Sequence, residues 1–235
     1  MTWNCLVFSI FDFRFSIGES FHDGAKPERP RSYNRKSKMN LHSPHYWQQV
    51  YDTESRPGWD MDGPTPLLPE LLDLADALGQ SVGPRIAVPG CGFGHDAAEL
   101  ARWGFQVTGV DFAPAAIQGA RARYGEAVKW VEDDWFTIQL PSFDAIFDHT
   151  CFVAMDPVRR PAYVQACADH LRAGGFWMAV LFHDVKGQPG PPHAIPIPEM
   201  RSLAEACFEV LHLGEAVNSH PRRAGREFLL VARKR

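Results

Sequence analysis

Three glycines and one acid stand at the spacing of a nucleoside-binding site. Gly90, Gly92 and Gly94 end a short apolar run, and Asp111 ends the next apolar run, about twenty residues further on. Glycine allows a backbone to turn sharply and to approach a ligand, whose polar groups then meet free N–H donors at the start of a helix. A carboxylate at the end of the second strand can accept both hydroxyls of a ribose. Together these residues indicate that the chain binds a nucleoside.

The spacing of the glycines indicates which nucleoside. Dinucleotide sites use Gly-x-Gly-x-x-Gly, whereas here His95 occupies the position of the third, close-packing glycine. The Gly-x-Gly-x-Gly form with a strand-end acid is typical of sites for S-adenosyl-L-methionine (SAM), which carries no phosphate. We therefore expect SAM as the cofactor and S-adenosyl-L-homocysteine as its product. The alternatives are a NAD-dependent oxidoreductase and a glycine turn that only joins a strand to a helix.

Other polar residues follow later predicted strands. Asp134 and Trp135 come after the third, Asp148 and His149 after the fourth, and His183 after the fifth. Ligands of open α/β sheets bind at the carboxyl ends of the strands, so these residues are expected at one edge. Asp134 is expected near the adenine amino group, with Trp135 stacked on the base. His183 is interpreted either as a residue for chemistry or as the end of a strand.

The elements that position these residues alternate between strand and helix, which predicts an α/β fold with a mostly parallel sheet. The last two strands flank a basic loop, residues 220–226, and are expected to pair antiparallel at the end of the sheet. The predicted strands are residues 85–88, 106–110, 128–131, 143–148, 176–182, 208–213 and 227–232. The first predicted helix begins at Ser43. The others cover residues 67–78, 95–103, 114–124, 157–171 and 198–207.

Aromatic and proline-rich segments are expected to cover the site. Trp47 lies on the first predicted helix and Trp59 in the turn-rich segment after it. Their aromatic faces would favour a sulfonium cation, although packing in the core is an equal alternative. The segment 187–198 is rich in proline and glycine and predicts a loop over the pocket, with Pro191, Pro192 and His193 at its tip.

Composition excludes several classes of function. The formal net charge is -4, and the five cysteines form no Cys-x-x-Cys pair. These features argue against nucleic-acid binding and for reduced thiols. No apolar stretch approaches the roughly 20 residues of a membrane span. No His-x-x-x-His spacing supports a metal site. We expect a cytoplasmic monomer that acts on a small molecule, without metal, nucleic acid or membrane.

The first 38 residues differ from the rest. An aromatic run is followed by a basic, proline-punctuated stretch, and neither has the features of a secretory signal. We expect residues 1–38 to be a disordered or non-functional extension, with Met39 as an alternative initiator and residues 39–235 as one methyltransferase domain. The alternative is an arm for targeting or for binding a partner.

Four sequence blocks narrow the SAM-binding class. They are VPGCGFGHD (88–96), VTGVD (107–111), IFDHTCF (146–152) and GPP (190–192). Together they resemble the thiopurine S-methyltransferase family, which includes plant and bacterial thiol and halide methyltransferases. The similarity runs from about Ser43 to the C-terminus. Two positions depart from the family pattern, because Tyr51 replaces a tryptophan and His193 replaces an aromatic residue, so the identity of the acceptor is least defined.

The resemblance implies a class I, Rossmann-like methyltransferase fold with a seven-stranded, mostly parallel sheet, an antiparallel C-terminal strand and helices on both faces. It implies transfer of the SAM methyl group to a soft nucleophile, a thiol or thiopurine sulfur or a halide ion. The implied cofactor residues are Trp47, Trp59, Gly90, Cys91, Gly92, Gly94, Asp111, Phe112, Asp134, Trp135 and Asp148. The expected catalytic residues are Asp148, His149 and His183, and the expected acceptor residues are Thr150, Phe152, Pro192 and His193.

The chemistry of the acceptor leaves other functions open. A thiolate or halide needs no strong base, although His149 or His183 could raise the thiolate fraction of a thiol. An O- or N-methyltransferase is the main alternative, and it usually needs an evident base or a metal. A non-catalytic SAM-binding regulator is the remaining one.

Overall fold

The computed structural model describes residues 40–54, 56–78 and 81–235. The predicted extension of residues 1–38 and the alternative start at Met39 lie outside these residues and stay predictions. Seven α-helices, one short 3-10 helix and seven strands are formed within the described part of the chain. The helices are α1 Pro44–Thr53, α2 Leu68–Ala77, α3 His95–Arg102, α4 Pro114–Tyr124, α5 Cys151–Ala154, α6 Arg160–His170 and α7 Ile197–Ala204. The strands are β1 Arg85–Pro89, β2 Gln106–Asp111, β3 Lys129–Glu132, β4 Phe143–His149, β5 Leu171–Phe182, β6 Phe208–Glu215 and β7 Glu227–Lys234.

The strands form one seven-stranded sheet in the order β3-β2-β1-β4-β5-β7-β6. The pairs among β1 to β5 are parallel, and β7 runs antiparallel to both β5 and β6. The order in which strands are added to the sheet reverses between β1 and β4, which places a crevice at the carboxyl ends of these two parallel strands. The predicted fold class and the antiparallel final pair are confirmed.

The sheet is buried on both faces. Ala87 of β1 belongs to one hydrophobic cluster, whereas Ile86 and Val88 belong to the other. Because successive side chains of a strand point to opposite faces, the two clusters are the two layers between sheet and helices. Their members come from almost every strand, which explains the continuous apolar runs of the central strands.

Two local predictions need correction. The fifth strand was expected over residues 176–182, but β5 begins at Leu171 and includes Gly174 and Gly175. The register explains the difference: Phe143 pairs with Leu171, whereas Ala145 pairs with Phe176, so the residues between form a bulge. The helix predicted over residues 157–171 begins instead as a 3-10 turn, Pro157–Arg159, and continues as α6.

Candidate active site

The glycine turn between β1 and α3 is closely surrounded. Gly90, Gly92 and Gly94 have φ angles of 56°, 54° and 83°, in the region that only glycine enters without strain. A Cβ atom on Gly90 would lie 2.6 Å from the Sγ of Cys151, and one on Gly92 would lie 3.0 Å from the hydroxyl of Tyr51. The turn therefore needs glycine both for its conformation and for its neighbours.

Asp111 at the end of β2 faces this turn. Its Oδ2 accepts a hydrogen bond from the N–H of Gly92 at 3.0 Å, and its Oδ1 accepts one from the N–H of Ala113 at 2.9 Å. Burial raises the pKa of Asp111 to about 6, although these N–H donors oppose the rise. Each carboxylate oxygen has a second lone pair. Asp111 can therefore still accept hydrogen bonds from a ligand.

Aromatic side chains of α1 and the following loop lie above the turn. The ring of Trp59 contacts those of Trp47 and Tyr51, with centroids 5.2 and 5.7 Å apart. Tyr51 also contacts Phe93 at 5.1 Å. Burial raises the pKa of Tyr51 well above its ordinary value, and the nearby Asp111 carboxyl adds to the rise. Tyr51, which departs from the family pattern, is therefore a neutral phenol beside the glycine turn.

The residues after β3 divide between the surface and the core. Asp134 is half-buried, and its Oδ1 accepts a hydrogen bond from the N–H of Phe136 at 3.0 Å. Trp135 was expected to stack on a base, but it is buried in the core, and its ring lies 4.2 Å from that of His170. Phe112, next to Asp111, is exposed. Phe112 and Phe136 are therefore more accessible than Trp135.

Asp148 was expected at the reactive rim, but the structure turns its carboxylate inward. Oδ1 accepts hydrogen bonds from the N–H groups of Cys151 and Phe152, at 2.9 and 3.3 Å, and Oδ2 accepts one from the hydroxyl of Tyr163 at 2.9 Å. The residue is completely buried, and burial raises the pKa of Asp148 to about 6. Asp148 holds the start of α5 in place, where Thr150 adopts a φ of 69°.

His149 has both ring nitrogens engaged. Nδ1 lies 2.7 Å from Oδ2 of Asp96, and Nε2 lies 2.6 Å from Nη1 of Arg223. Arginine only donates, so Nε2 must accept, and the proton of the neutral ring sits on Nδ1. Burial acts to raise the pKa of Asp96, but His149 and the N–H of Thr65 outweigh it and lower that pKa. In this arrangement His149 has no free nitrogen to act as a base, unlike the expected role.

The expected acceptor residues meet around the end of β4. Phe152 is buried on α5, and the N–H of His193 donates to the carbonyl of Val153 at 2.6 Å. The Nε2 atoms of His193 and His42 are 2.8 Å apart. Burial lowers the pKa of His193, and His42 adds to this effect. The proline-rich loop is therefore joined both to α5 and to the chain that enters α1, whereas Pro192 is half-buried in the loop.

The remaining candidates lie at the edges of this arrangement. The ring of His183 is half-buried, and its centroid lies 6.3 Å from that of Phe228. Cys91 and Cys151 flank the turn, and burial raises the pKa of both thiols well above the ordinary value. Neither thiol is therefore ionised at neutral pH.

A surface depression lies away from this site. It has a volume of about 420 Å³ and lies between Arg85, Gln106, Lys129 and Phe143, at the amino ends of the strands. Ligands of such sheets bind at the opposite edge, so this depression is not the candidate site. Within the described ranges, no group of three or more His, Cys, Asp or Glu side chains is placed to hold a metal ion. The helices described there are all too short or too polar to cross a membrane.

The strand order, the glycine turn after β1 and the acid after β2 define a class I SAM-dependent methyltransferase. The fold is similar to that of the N-methyltransferase NodS from Bradyrhizobium japonicum WM9, solved with S-adenosyl-L-homocysteine bound. The TM-score is 0.64 at 17% identity, over 81% of this chain and 98% of that one.

A model of the thiopurine S-methyltransferase (TPMT) family matches residues 42–229, and the chain belongs to this family. It is 30% identical over 191 residues to thiocyanate methyltransferase 1 of Arabidopsis thaliana, covering 78% of this chain and 82% of the relative. It is 24% identical over 196 residues to thiopurine S-methyltransferase of Photobacterium profundum, covering 76% and 90%. The family resemblance read from the four sequence blocks is confirmed.

Proposed function

We propose that the protein transfers the methyl group of SAM to a soft nucleophile that reaches the site already ionised, either a thiolate or a small anion such as thiocyanate or a halide. The observation that carries this proposal is the state of His149, whose two nitrogens are held by Asp96 and Arg223. The neighbouring Cys91 and Cys151 are neutral thiols. Neither His149 nor these two thiols is therefore free to take a proton from an acceptor, and a soft anion, which needs no base, suits this arrangement best.

The residues around the glycine turn suit SAM. The turn approaches its neighbours too closely for any Cβ atom on Gly90, which leaves backbone N–H groups as its contribution to a ligand. Asp111 has a raised pKa, and two ribose hydroxyls would stabilise its ionised form. When bound, SAM supplies an electrophilic methyl group, and in-line attack by the acceptor leaves the electron pair of the broken C–S bond on the sulfur of S-adenosyl-L-homocysteine.

The chain's own residues would orient the cofactor and exclude water from it. We propose that the backbone of Gly90, Cys91, Gly92 and Gly94 holds its amino-acid part and Asp111 its ribose. Phe112 and Asp134 would contact the adenine. Trp47 and Trp59 would cover the sulfonium, whose charge their faces favour. Positioning and exclusion of water supply most of the rate for a reaction of this kind.

We propose that the acceptor lies between Thr150, Phe152, Pro192 and His193. Asp148 supports this wall from inside, through its hydrogen bonds to the first N–H groups of α5. The half-buried His183 remains a candidate for the outer wall of the same site.

Methyl-labelled SAM tests the reaction and the ionisation argument together. The acceptors are iodide, thiocyanate, bisulfide, an alkyl thiol, an aromatic thiol and a thiopurine, with products read by mass spectrometry from pH 6 to 9. We expect label on at least one of them. The rate with an alkyl thiol should rise about tenfold per pH unit below its pKa near 8.5, since only the thiolate reacts, whereas the rates with iodide and thiocyanate should not follow that rise. A rate with the thiol that does not depend on its ionisation would show that the protein removes the proton itself and would contradict the proposal.

A further inference from the structure

Arg223, in the loop between β6 and β7, reaches across the carboxyl edge of the sheet and is almost completely buried. Besides its contact with His149, its Nη2 donates to the carbonyl of Trp59 at 2.7 Å, and its Nη1 donates to Oε1 of Glu227 at 3.2 Å. A guanidinium presents its donors in a rigid plane. One side chain therefore fixes three parts of the chain that are far apart in sequence.

The loop between α1 and α2, which contains Trp59, is also held by Asp96. Oδ1 of Asp96 accepts a hydrogen bond from the N–H of Thr65 at 2.7 Å, while its Oδ2 faces His149. The loop between α1 and α2 is thus tied near both its ends to one buried network. Trp59 is itself one of the two tied residues, and its ring packs on Trp47 beside the glycine turn.

We propose that Arg223 is a positioning residue for SAM. It holds the backbone of Trp59 in place, so that the side chains of Trp47 and Trp59 lie over the cofactor. This inference rests on the proposed function, because it assigns the aromatic pair to the SAM side of the site. Arg223 does not touch the reacting atoms. It acts through the carbonyl of Trp59.

The buried carboxylate of Glu227 explains why an uncharged residue could not replace Arg223. Glu227 is buried, and its Oε2 has no hydrogen-bond partner among the described residues, so the ion pair with Arg223 is its main compensation. Removing the cation would leave an unpaired buried carboxylate, which destabilises the fold by itself. Lysine at this position keeps the charge but has a single nitrogen, and it cannot reach Trp59, His149 and Glu227 in the geometry of a fork.

The test compares Arg223→Lys with Arg222→Gln. Arg222 lies on the same loop and also donates to the Trp59 segment, at the carbonyl of Gly58, 3.3 Å away, but it is exposed. We expect Arg223→Lys to weaken the binding of S-adenosyl-L-homocysteine about tenfold, since a buried charged hydrogen bond is lost. The KM for SAM should rise similarly while the KM for the acceptor stays within about twofold. Arg222→Gln should match the wild type, and thermal unfolding shows that each variant is folded.

A double-mutant cycle with Trp59→Phe separates positioning from a general loss of structure. If Arg223 acts through Trp59, Arg223→Lys should cost less than about threefold in affinity when Trp59 is already replaced. Additive effects, or an Arg223→Lys variant with wild-type affinity and KM, would overturn the inference while leaving the proposed function intact. A wild-type protein that binds no S-adenosyl-L-homocysteine would overturn the proposed function, and the inference with it.

Discussion

The state of Asp111 makes the affinity for S-adenosyl-L-homocysteine depend on pH. Its pKa in the free protein is about 6, because the carboxylate is buried. Ribose hydroxyls donate to the ionised form, so binding returns the pKa towards its ordinary value of 3.8. At pH 5 about nine in ten free carboxyls are protonated, and each must lose its proton before the ligand binds. We therefore expect the dissociation constant at pH 5 to be about ten times that at pH 8.

Isothermal titration calorimetry between pH 5 and pH 8 measures this dependence. The buried neighbours Tyr51 and Cys91 do not titrate in that range, because the pKa of each is raised well above its ordinary value. The control is Asp111→Asn, whose amide cannot ionise. It should bind more weakly, and its affinity should lose the dependence on a group with a pKa near 6. A wild-type affinity that is constant from pH 5 to pH 8, or a dependence that persists in Asp111→Asn, would refute the assignment of Asp111 to the ribose.

Three further predictions concern the stability of the site. Asp148→Ala removes three hydrogen bonds and leaves the buried hydroxyl of Tyr163 unpaired, so urea unfolding should show a loss of about 2–4 kcal/mol; an unchanged midpoint would contradict this role. Gly90→Ala adds a clash with Cys151 to its backbone strain, whereas Gly104→Ala, at a φ of 96° with no atom within 4 Å of the new Cβ, adds strain alone. The thermal midpoint should therefore fall further for Gly90→Ala, and equal losses would refute the clash. The pKa values of Asp148 and Asp111 in the folded protein lie above their ordinary value. Their contribution to stability is therefore present below about pH 4 and is lost as pH rises through about 6. Thermal melts of Asp148→Asn and of Asp111→Asn should each show a smaller dependence of the thermal midpoint on pH than the wild type shows.

The sequence predicts those parts of the fold that depend on short stretches of neighbouring residues. The glycine turn and Asp111 lie on neighbouring strands, and their types follow from backbone geometry that any chain must satisfy. The pairing of the last two strands could also be predicted, because the basic loop between them separates two apolar runs. The start of β5 could not, since Gly174 and Gly175 continue the strand through a bulge against β4.

The directions of side chains were harder to predict than their places along the chain. Asp148, His149 and Trp135 all follow strands as expected, yet Trp135 packs against His170 and the carboxylate of Asp148 turns towards Tyr163. Side chains alternate between the two faces of the sheet only within a strand. Beyond the end of a strand, sequence alone does not show whether a side chain points into the core or towards solvent.

Arg223 was not among the predicted site residues. The loop 220–226 contains Arg222, Arg223 and Arg226, and only the second is buried. Nothing in the local pattern distinguishes them, because the contacts that bury Arg223 come from His149 and Trp59, far away in sequence. Asp96 was missed for the same reason, although its place at the start of α3 beside the glycine turn is a sequence feature that could have suggested it.

The order of the sheet also constrains how the protein can be made. β7 follows every other strand in sequence, yet it lies between β5 and β6, with seven residues of β5, Phe176–Phe182, paired along it. Until β7 has left the ribosome, the nascent chain carries β5 with an open, apolar edge, and β6 has no neighbour in the sheet. Such an edge is a template for pairing with other chains. Translation that stops before residue 227 therefore gives an aggregation-prone fragment rather than a smaller enzyme. Chaperones are needed most in the last stage of synthesis, before β7 pairs with β5.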